Sequence, residues 1–306
     1  MTPAAHLLSG YLVGEWQASG EKERWRAVAA AVVAGIAPDF DVVLGLLGGW
    51  AGSGAHRGAT HSLTLAPLFA WLIAKAVRGP RRPVFLAALG GIISHIFWDW
   101  LNPWGAILFW PWMRSFRGNL VHEGNLYVLG LLLGSAVLVW RGRRVAAAVL
   151  LLELLPVFLL VQIWWRDHAR GLAAAQLAGR RALVYPAPDL ACGWIALSAG
   201  SADMSVACVA SPVARRLRPV FTTPVRGDFF VQASERSPVV QDLREKIPFA
   251  FAEVRPLKNG GAVVLWRDLR VAYREPKDAD PTGLQVELDA HGKIVSEHYR
   301  WWLRLW

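Results

Sequence analysis

The stretch AVAAAVVAGIAPD, residues 27–39, decides the class of the fold. It carries no charge until it reaches Asp39, and similar apolar runs precede and follow it as far as about Trp165. Backbone polar groups in lipid must be satisfied within their own segment, so such runs predict membrane helices. From Arg166 to Trp306 the composition is that of an ordinary soluble chain. The sequence therefore predicts a membrane part followed by a soluble part.

The apolar runs divide into segments close in length to a membrane crossing, for which about 17 residues is the lower limit. We predict about six spans, at roughly 3–18, 27–48, 61–77, 84–101, 124–140 and 145–165. The expected fold class is thus an α-helical polytopic membrane bundle, residues 1–168, followed by a small β-rich soluble domain, residues 175–306.

Basic residues are placed as a membrane protein requires. The 306-residue chain has a net charge of +10, which by itself would suit a nucleic-acid partner. In the first half, however, most of this charge lies in short clusters between apolar runs, around Lys22–Arg26, Lys75–Arg82 and Arg141–Arg144. Alternating spans would put these clusters on one side, which should be cytoplasmic. We expect an inner-membrane protein in contact with lipid, with both termini outside and no nucleic-acid partner.

The soluble part shows short β-prone runs between turn residues. We predict strands at Ala182–Tyr185, Trp194–Leu197, Phe229–Gln232 and Ala262–Trp266, and a hairpin that pairs 284–288 with 294–299. Two cysteines occur, Cys192 and Cys208, and no CxxC motif, which argues against a thiolate zinc site. If this domain is external, the two cysteines lie in an oxidising compartment that permits a disulfide.

Ionisable residues in membrane segments are candidates for function. The predicted topology brings one set of them to the outer ends of the spans, and no histidine lies near the inner loops. The set comprises His6, Asp39, Asp41, His56, His61, His95, Asp99, His122 and Glu123. This convergence predicts one functional site at the outer face.

The residue types and their spacing suit a metal ion. His95 and Asp99 are four residues apart on a predicted helix, with Asn102 three residues further on, so their side chains share a face. Neutral imidazoles with carboxylates suit zinc first, with manganese or iron as alternatives, and so large a set could hold two ions. Arg57, Arg114 and Arg117 are candidates to bind anionic oxygens such as those of phosphate.

Structural roles compete with each of these assignments. His95 with Asp99 could be a helix-stabilising pair, and His56 with His61 could belong to a polar loop. His6 could be a packing residue, and Glu123 could interact with a helix dipole. A buried hydrogen bond is the expected role of Glu153 in the last span.

At these residues the chain resembles the LexA-regulated, membrane-bound metal-dependent hydrolases. The resemblance covers about residues 1–130. The matching features, in order, are His6 in an apolar helix, Pro38-Asp39-Phe40-Asp41, the stretch from His56 to Ser62 (HRGATHS), and the stretch from Ser94 to Gly105 (SHIFWDWLNPWG). It implies a metal-dependent hydrolase with His6, Asp39, Asp41, His56, His61, His95 and Asp99 as metal ligands. The His/Asp set is also similar to that of zinc-dependent phospholipases C, which implies a phosphoester substrate.

The chain departs from the family pattern in one place. The family often has an acidic residue directly after a Gly-Asn pair, whereas Gly124-Asn125 is followed here by Leu126-Tyr127. His122 or Glu123 could substitute for that ligand. The domain after about residue 175 resembles the C-terminal extension of some longer members.

The sequence thus predicts a membrane-bound hydrolase that uses a divalent metal, with zinc first, on a lipid-linked or other phosphoester at the outer face. Arg57 would bind the substrate, and Asp41 or Glu123 would act as general base. Two other functions stay open: a non-catalytic metal-binding or transport protein, and a membrane-anchored scaffold whose β-rich domain binds a partner.

Overall fold

The computed structural model describes residues 2–18, 21–41, 57–77, 81–112, 114–187, 192–225, 227–274 and 283–300. Over these residues the chain divides into two compact units, with the boundary between Trp164 and Trp165. The first unit is helical, and the second contains the sheets.

The helices of the first unit lie where apolar runs lie in the sequence. They are, in chain order, α1 (Pro3–Gln17), α2 (Glu21–Ile36), α3 (Ala66–Val77), α4 (Arg81–Trp100), α5 (Leu126–Trp140) and α6 (Arg144–Gln176), the last of which ends in the second unit. Short 3-10 turns cover Ala37–Asp39 and Ala59–His61. Local signals explain helix starts: the Thr2 side chain caps α1 ahead of Pro3, and the Asn125 side chain caps α5.

The prediction of a six-span bundle is wrong. Within the described residues only two helices, Arg82–Trp100 and Arg144–Gln176, are long and apolar enough to cross a membrane. The apolar helices α3 and α5 have 12 and 15 residues, short of the roughly 20 that a crossing takes. In the predicted span 27–48, α2 ends at Ile36 and is followed by a 3-10 turn, Ala37–Asp39, that contains Pro38; residues 42–48 lie outside the described residues. The span predicted from residue 61 starts its helix at Ala66.

Small residues let α1, α2 and α4 approach closely. A Cβ on Gly10 would lie 2.7 Å from the Ala31 carbonyl oxygen, and one on Gly35 would lie 2.8 Å from that of His6. A Cβ on Gly91 would also collide with the Ala31 carbonyl. Close backbone approach at glycine and alanine is the usual packing of helices in membranes. It brings the start of α1, the end of α2 and the end of α4 together, which is where the ionisable residues lie.

A buried carboxylate ties the other end of this unit together. Glu15 is buried near the end of α1 and accepts hydrogen bonds from the Arg24 Nε–H, at 3.0 and 2.9 Å, and from the Arg144 Nη2–H at 3.0 Å. Arg24 lies in the first turns of α2, and Arg144 is the first residue of α6. The turns that carry two of the basic clusters are therefore joined to the end of α1, nine residues along that helix from His6.

The second unit holds two four-stranded antiparallel sheets with strand orders β1-β2-β3-β4 and β5-β6-β7-β8. The strands are β1 (Arg181–Pro186), β2 (Trp194–Ala199), β3 (Asp203–Val209), β4 (Arg218–Pro224), β5 (Ala250–Pro256), β6 (Ala262–Asp268), β7 (Gly283–Leu288) and β8 (Ile294–Arg300). Helices α7 (Phe229–Ser234), α8 (Pro238–Lys246) and α9 (Leu269–Ala272) connect them. Residues of both sheets share one core, in which Ile195 and Val206 pack with Phe249 and Phe251.

The β-rich character of this unit is confirmed, and so is the hairpin, in which Leu284 pairs with Tyr299. The strand predicted at Phe229–Gln232 is wrong, because these residues open α7. The Asp228 side chain caps that helix by accepting from the Phe230 N–H at 2.8 Å, and this capping signal outweighs the apolar run. Cys192 and Cys208 form a disulfide within the core, with their Cα atoms 5.5 Å apart.

Candidate metal centre

Among the described residues, Asp39, His61, His95 and Asp99 form a compact group of potential metal ligands. One ligand atom from each lies within 4.8 Å of all the others. Asp39 comes from the 3-10 turn after α2, His61 from the turn before α3, and the other two from α4. His61, His95 and Asp99 are fully buried, whereas the Asp39 side chain is 30% exposed. The group is therefore a buried polar cluster whose most accessible member is Asp39.

Hydrogen bonds on the outer side of each imidazole fix which nitrogen faces the group. His95 Nδ1 lies 2.7 Å from the Gly35 carbonyl oxygen, which can only accept, so Nδ1 carries the proton. His61 Nδ1 lies 3.0 Å from Thr60 Oγ1, and that hydroxyl donates to Asp41 Oδ2 at 2.6 Å. Both rings then present Nε2 to the group. Histidines that bind metals are held in this way by a carbonyl or carboxylate.

Five separations between the ligand atoms are close to those around a single small ion. His95 Nε2 lies 3.0 Å from His61 Nε2, 3.6 Å from Asp39 Oδ1 and 3.5 Å from Asp99 Oδ2. His61 Nε2 lies 3.5 Å from Asp39 Oδ1 and 3.2 Å from Asp99 Oδ2. Ligands at about 2.0–2.1 Å from a tetrahedral zinc ion stand roughly 3.3 Å apart. Two imidazole nitrogens at 3.0 Å also repel each other unless a positive charge, a proton or a metal ion, lies between them.

The pKa shifts of Asp39 and His61, the two candidate ligands that lie in 3-10 turns, also favour a bound cation. Burial by itself raises the pKa of the Asp39 carboxyl, but the His61 hydrogen bond and the charge of His95 hold that pKa well below its usual range. Burial by itself lowers the pKa of His61, but hydrogen bonds to Asp39 and Asp99 outweigh burial and raise it. Carboxylates therefore stabilise positive charge in this group, and the same attraction favours a bound cation.

Arg57 lies beside the group; its side chain contacts Asp99, and its backbone contacts Asp41. Its Nε lies 3.5 Å from Asp99 Oδ2, and its Nη2 lies 4.0 Å from Glu123 Oε2. Its backbone N–H donates to Asp41 Oδ2 at 3.3 Å, and its φ of 64° is rare for a residue with a side chain. Such backbone strain is concentrated at functional sites. The arginine side chain is 14% exposed, so it lies at the edge of the buried cluster.

His6 flanks the four-residue group. Its ring stacks on that of His95 with 3.8 Å between centroids, and its Nε2 lies 3.5 Å from Asp99 Oδ1. Asp99 thus faces His6 with one oxygen and the two other histidines with the second. Neither nitrogen of His6, which is fully buried, makes a hydrogen bond within the described part of the chain. The sequence placed His6 among the ligands, and the structure places it next to them.

The other predicted site residues that the structure describes lie outside the four-residue group. Asp41 lies behind His61, 3.6 Å from its Nδ1. His122 is outside the four-residue group, and its Nδ1 accepts from the Gly124 N–H at 3.2 Å. Arg114 stacks over the Phe116 ring, and Arg117 is exposed. His56 lies outside the described residues. Glu153, predicted to make a buried hydrogen bond, is exposed on α6.

Sequence reasoning missed three supporting contacts. Thr60 and the Gly35 carbonyl orient the two imidazoles, and Asn102 accepts from Arg57 Nη1 at 3.0 Å. Thr60 is adjacent to His61, so its position was a usable signal. A backbone carbonyl leaves no signal in a single sequence, because every residue has one.

Among known protein families, the chain matches the family described as YdjM inner membrane protein over residues 1–169. The match covers α1 to α5, most of α6, and every residue of the candidate metal centre. No curated protein and no solved structure matches the chain.

Proposed function

This chain belongs to the YdjM inner membrane protein family, and we propose that it is a metal-dependent hydrolase acting on a lipid-linked or other phosphoester. The observation that carries the proposal is the set of five ligand-atom separations between 3.0 and 3.6 Å around His61 and His95. Helix-stabilising pairs or loop contacts would explain individual pairs but not the convergence of three chain segments on one point.

Asp39, His61, His95 and Asp99 would hold the ion, with zinc favoured by two nitrogen and two oxygen ligands and with manganese or iron as alternatives. When bound, a divalent ion supplies Lewis acidity and lowers the pKa of water. His6 would keep Asp99 and His95 in position through its contacts with both. Asp41 would orient His61 through Thr60 rather than bind the ion, since its Oδ2 already accepts two hydrogen bonds.

Two further residues, Arg57 and Glu123, would bind the substrate and transfer a proton. The Arg57 guanidinium lies at the edge of the cluster and would bind the anionic oxygens of a phosphoester. Glu123 is 37% exposed, and its Oε2 lies 4.0 Å from Arg57 Nη2. It would accept the proton of the attacking water, because Asp41, the other candidate base, is engaged behind His61.

The proposed orientation places the centre at the outer face of the inner membrane. Glu15 with Arg24 and Arg144 marks the basic end of the helical unit, and basic ends face the cytoplasm. The His/Asp group contacts His6, which lies at the opposite end of α1. Helix α6 starts at the basic end and has 33 residues, about 50 Å of helix, so the second unit would follow on the outer side. The Cys192–Cys208 disulfide suits that oxidising side.

Hydrolysis of a phosphoester lipid analogue tests the proposal. Zinc-loaded full-length protein in detergent should release the phosphorylated product, and a chelator should abolish the release. Arg57→Ala should keep its zinc but lose most of the turnover, and Arg57→Lys should recover only part, because lysine lacks the two-pronged donor. A zinc-loaded wild type that cleaves carboxylic esters or peptides but no phosphoester would contradict the substrate class. Bound zinc without hydrolysis of any ester or amide would support a binding or transport protein.

A further inference from the structure

Asn102 follows the helix face that carries two of the proposed ligands. It lies three residues after Asp99, and its backbone N–H donates to the Asp99 carbonyl oxygen at 3.3 Å, which continues the end of α4 as a turn. The residue is fully buried. A buried amide side chain must place both its oxygen and its NH2 group on partners, or leave one of them unsatisfied.

The two ends of the Asn102 side chain are unequally satisfied. Its Oδ1 accepts from the Trp104 backbone N–H at 2.7 Å and from Arg57 Nη1–H at 3.0 Å. Both partners can only donate, so the atom they meet is the oxygen and the opposite atom is the nitrogen. That nitrogen, Nδ2, has no hydrogen-bond acceptor within the described residues. Leaving a buried N–H group without an acceptor is unfavourable, so Nδ2 is available to donate to a bound ligand.

We propose that Asn102 is an oxyanion-binding residue of this site, whose Nδ2–H donates to an oxygen of the anionic ligand that Arg57 also binds. The Asn102 amide is held directly on the Arg57 guanidinium, and that guanidinium contacts Asp99. A small oxyanion such as a phosphate or a carboxylate fits this position, because it would accept from the Asn102 amide and from the Arg57 guanidinium together. Neutral amide donors beside an arginine are a common way to bind such groups. The inference rests on the proposed function only in that an oxyanion enters this site.

Asn102→Asp separates this role from a structural one. Its carboxylate oxygen still accepts from Trp104 and Arg57, so the turn and the guanidinium stay in place, but the NH2 donor is replaced by a second oxygen. Binding of inorganic phosphate and of acetate to the full-length protein, loaded with zinc, would be measured by titration calorimetry. We expect the affinity for the anion to fall roughly ten-fold or more in the variant. Asn125→Asp is the matched control, since it adds the same charge and aspartate also caps α5.

Each outcome decides the assignment. Loss of affinity in Asn102→Asp, with zinc content and thermal unfolding unchanged and with Asn125→Asp equal to the wild type, supports it. Equal affinity in Asn102→Asp and the wild type overturns it, and so does a wild type that binds neither anion. A wild type that binds acetate but not phosphate contradicts the phosphoester proposal, and acetate then decides the role of Asn102. Because the added carboxylate of Asn102→Asp by itself repels an anion, Asn102→Ser, which has no amide donor and adds no charge, is measured too and should lose affinity as well. Wild-type affinity in Asn102→Ser overturns the assignment, and this variant alone is compared if Asn102→Asp loses zinc or unfolds.

Discussion

At the scale of single residues, two aspartates of the site have different proposed roles: Asp99 binds the ion, whereas Asp41 orients His61. Substituting them should therefore have different effects on metal binding. Asp99 Oδ2 lies within 3.5 Å of the Nε2 atoms of His61 and His95, on the side where the ligand atoms meet. Asp41 lies on the opposite side of His61 and reaches it through Thr60 as well as directly, at 3.6 Å. Removing Asp99 removes a ligand, whereas removing the charge of Asp41 leaves all four ligands in place.

We therefore expect Asp41→Asn to weaken zinc binding without abolishing it. The amide oxygen still accepts from Thr60, but the negative charge that holds His61 is lost, and such changes lower metal affinity about 10–100-fold. Competition with a chelator of known affinity measures the change, and full occupancy should return at higher zinc concentration. Asp99→Asn should stay below full occupancy over the same range. Equal behaviour of the two variants would mean that Asp41 is itself a ligand.

The proximity of several site residues could be predicted from the sequence, because the chemistry of a side chain limits its roles. A histidine and an aspartate four residues apart on an apolar helix, His95 and Asp99, have few structural reasons to be there. The same reasoning could not separate Asp39 from Asp41, which are two residues apart in the same motif. Only the turn after α2 shows that one faces the group and the other lies behind it.

At the scale of elements, α2 supports the centre through its last glycine. The Gly35 carbonyl oxygen accepts a hydrogen bond from His95. The Cα of Gly35 faces the backbone of His6, and a Cβ added to Gly35 would lie 2.8 Å from the His6 carbonyl oxygen. Both contacts require α1 and α2 to stay as close as they are.

Gly35→Ala should consequently destabilise the helical unit by about 1–3 kcal/mol and weaken zinc binding, because α2 must shift and the His95 ring loses its carbonyl partner. Thermal unfolding in detergent, with and without zinc, measures both effects. Gly130→Ala is the matched control: it lies on α5 with no atom within 4 Å of the added Cβ and should leave stability unchanged or raise it by up to about 1 kcal/mol. Similar unfolding temperatures for the two variants would contradict the close packing of α1 on α2.

The positions of helices were predictable from apolar runs, but their lengths were not. Hydrophobicity does not distinguish a residue in a crossing helix from one in a buried turn, so the span predicted from residue 61 includes His61 and Ser62, which precede α3. Conversely, α6 continues to Gln176, past the predicted end at residue 165, because a helix needs no hydrophobicity once it leaves lipid. These differences reduce the predicted six spans to two candidates in the described residues.

At the scale of the whole molecule, the proposed orientation makes a prediction for intact cells. A reporter fused after Gly142, in the turn before α6, should report the cytoplasm, and one fused at the C-terminus should report the outer side, because α6 is long enough to cross the membrane once. Cys192 and Cys208 should react with alkylating reagents only after reduction. An external reporter after Gly142, or two free thiols in protein alkylated before lysis, would contradict the orientation or the disulfide respectively.

Long-range proximity was predictable only in a coarse form. The gathering of ionisable residues at one end could be predicted without three-dimensional information, and the structure does bring residues from α1, the two 3-10 turns and α4 together. The register between the helices could not be predicted from the sequence, since it depends on close contacts between glycine and alanine residues, such as that of Gly10 with Ala31. Glu15 illustrates the limit: in sequence it is a single acidic residue in an apolar run, whereas in the fold it joins two basic turns.

The central claim is that the His/Asp group binds a metal ion, and the metal content of purified protein tests it most directly. Elemental analysis of the full-length wild type should find about one zinc, manganese or iron ion per chain. His95→Ala and Asp99→Ala should lose that ion, whereas His291→Ala, in the exposed turn between β7 and β8, should keep it. A wild type without metal after zinc loading, or unchanged stoichiometry in both site variants, would contradict the account.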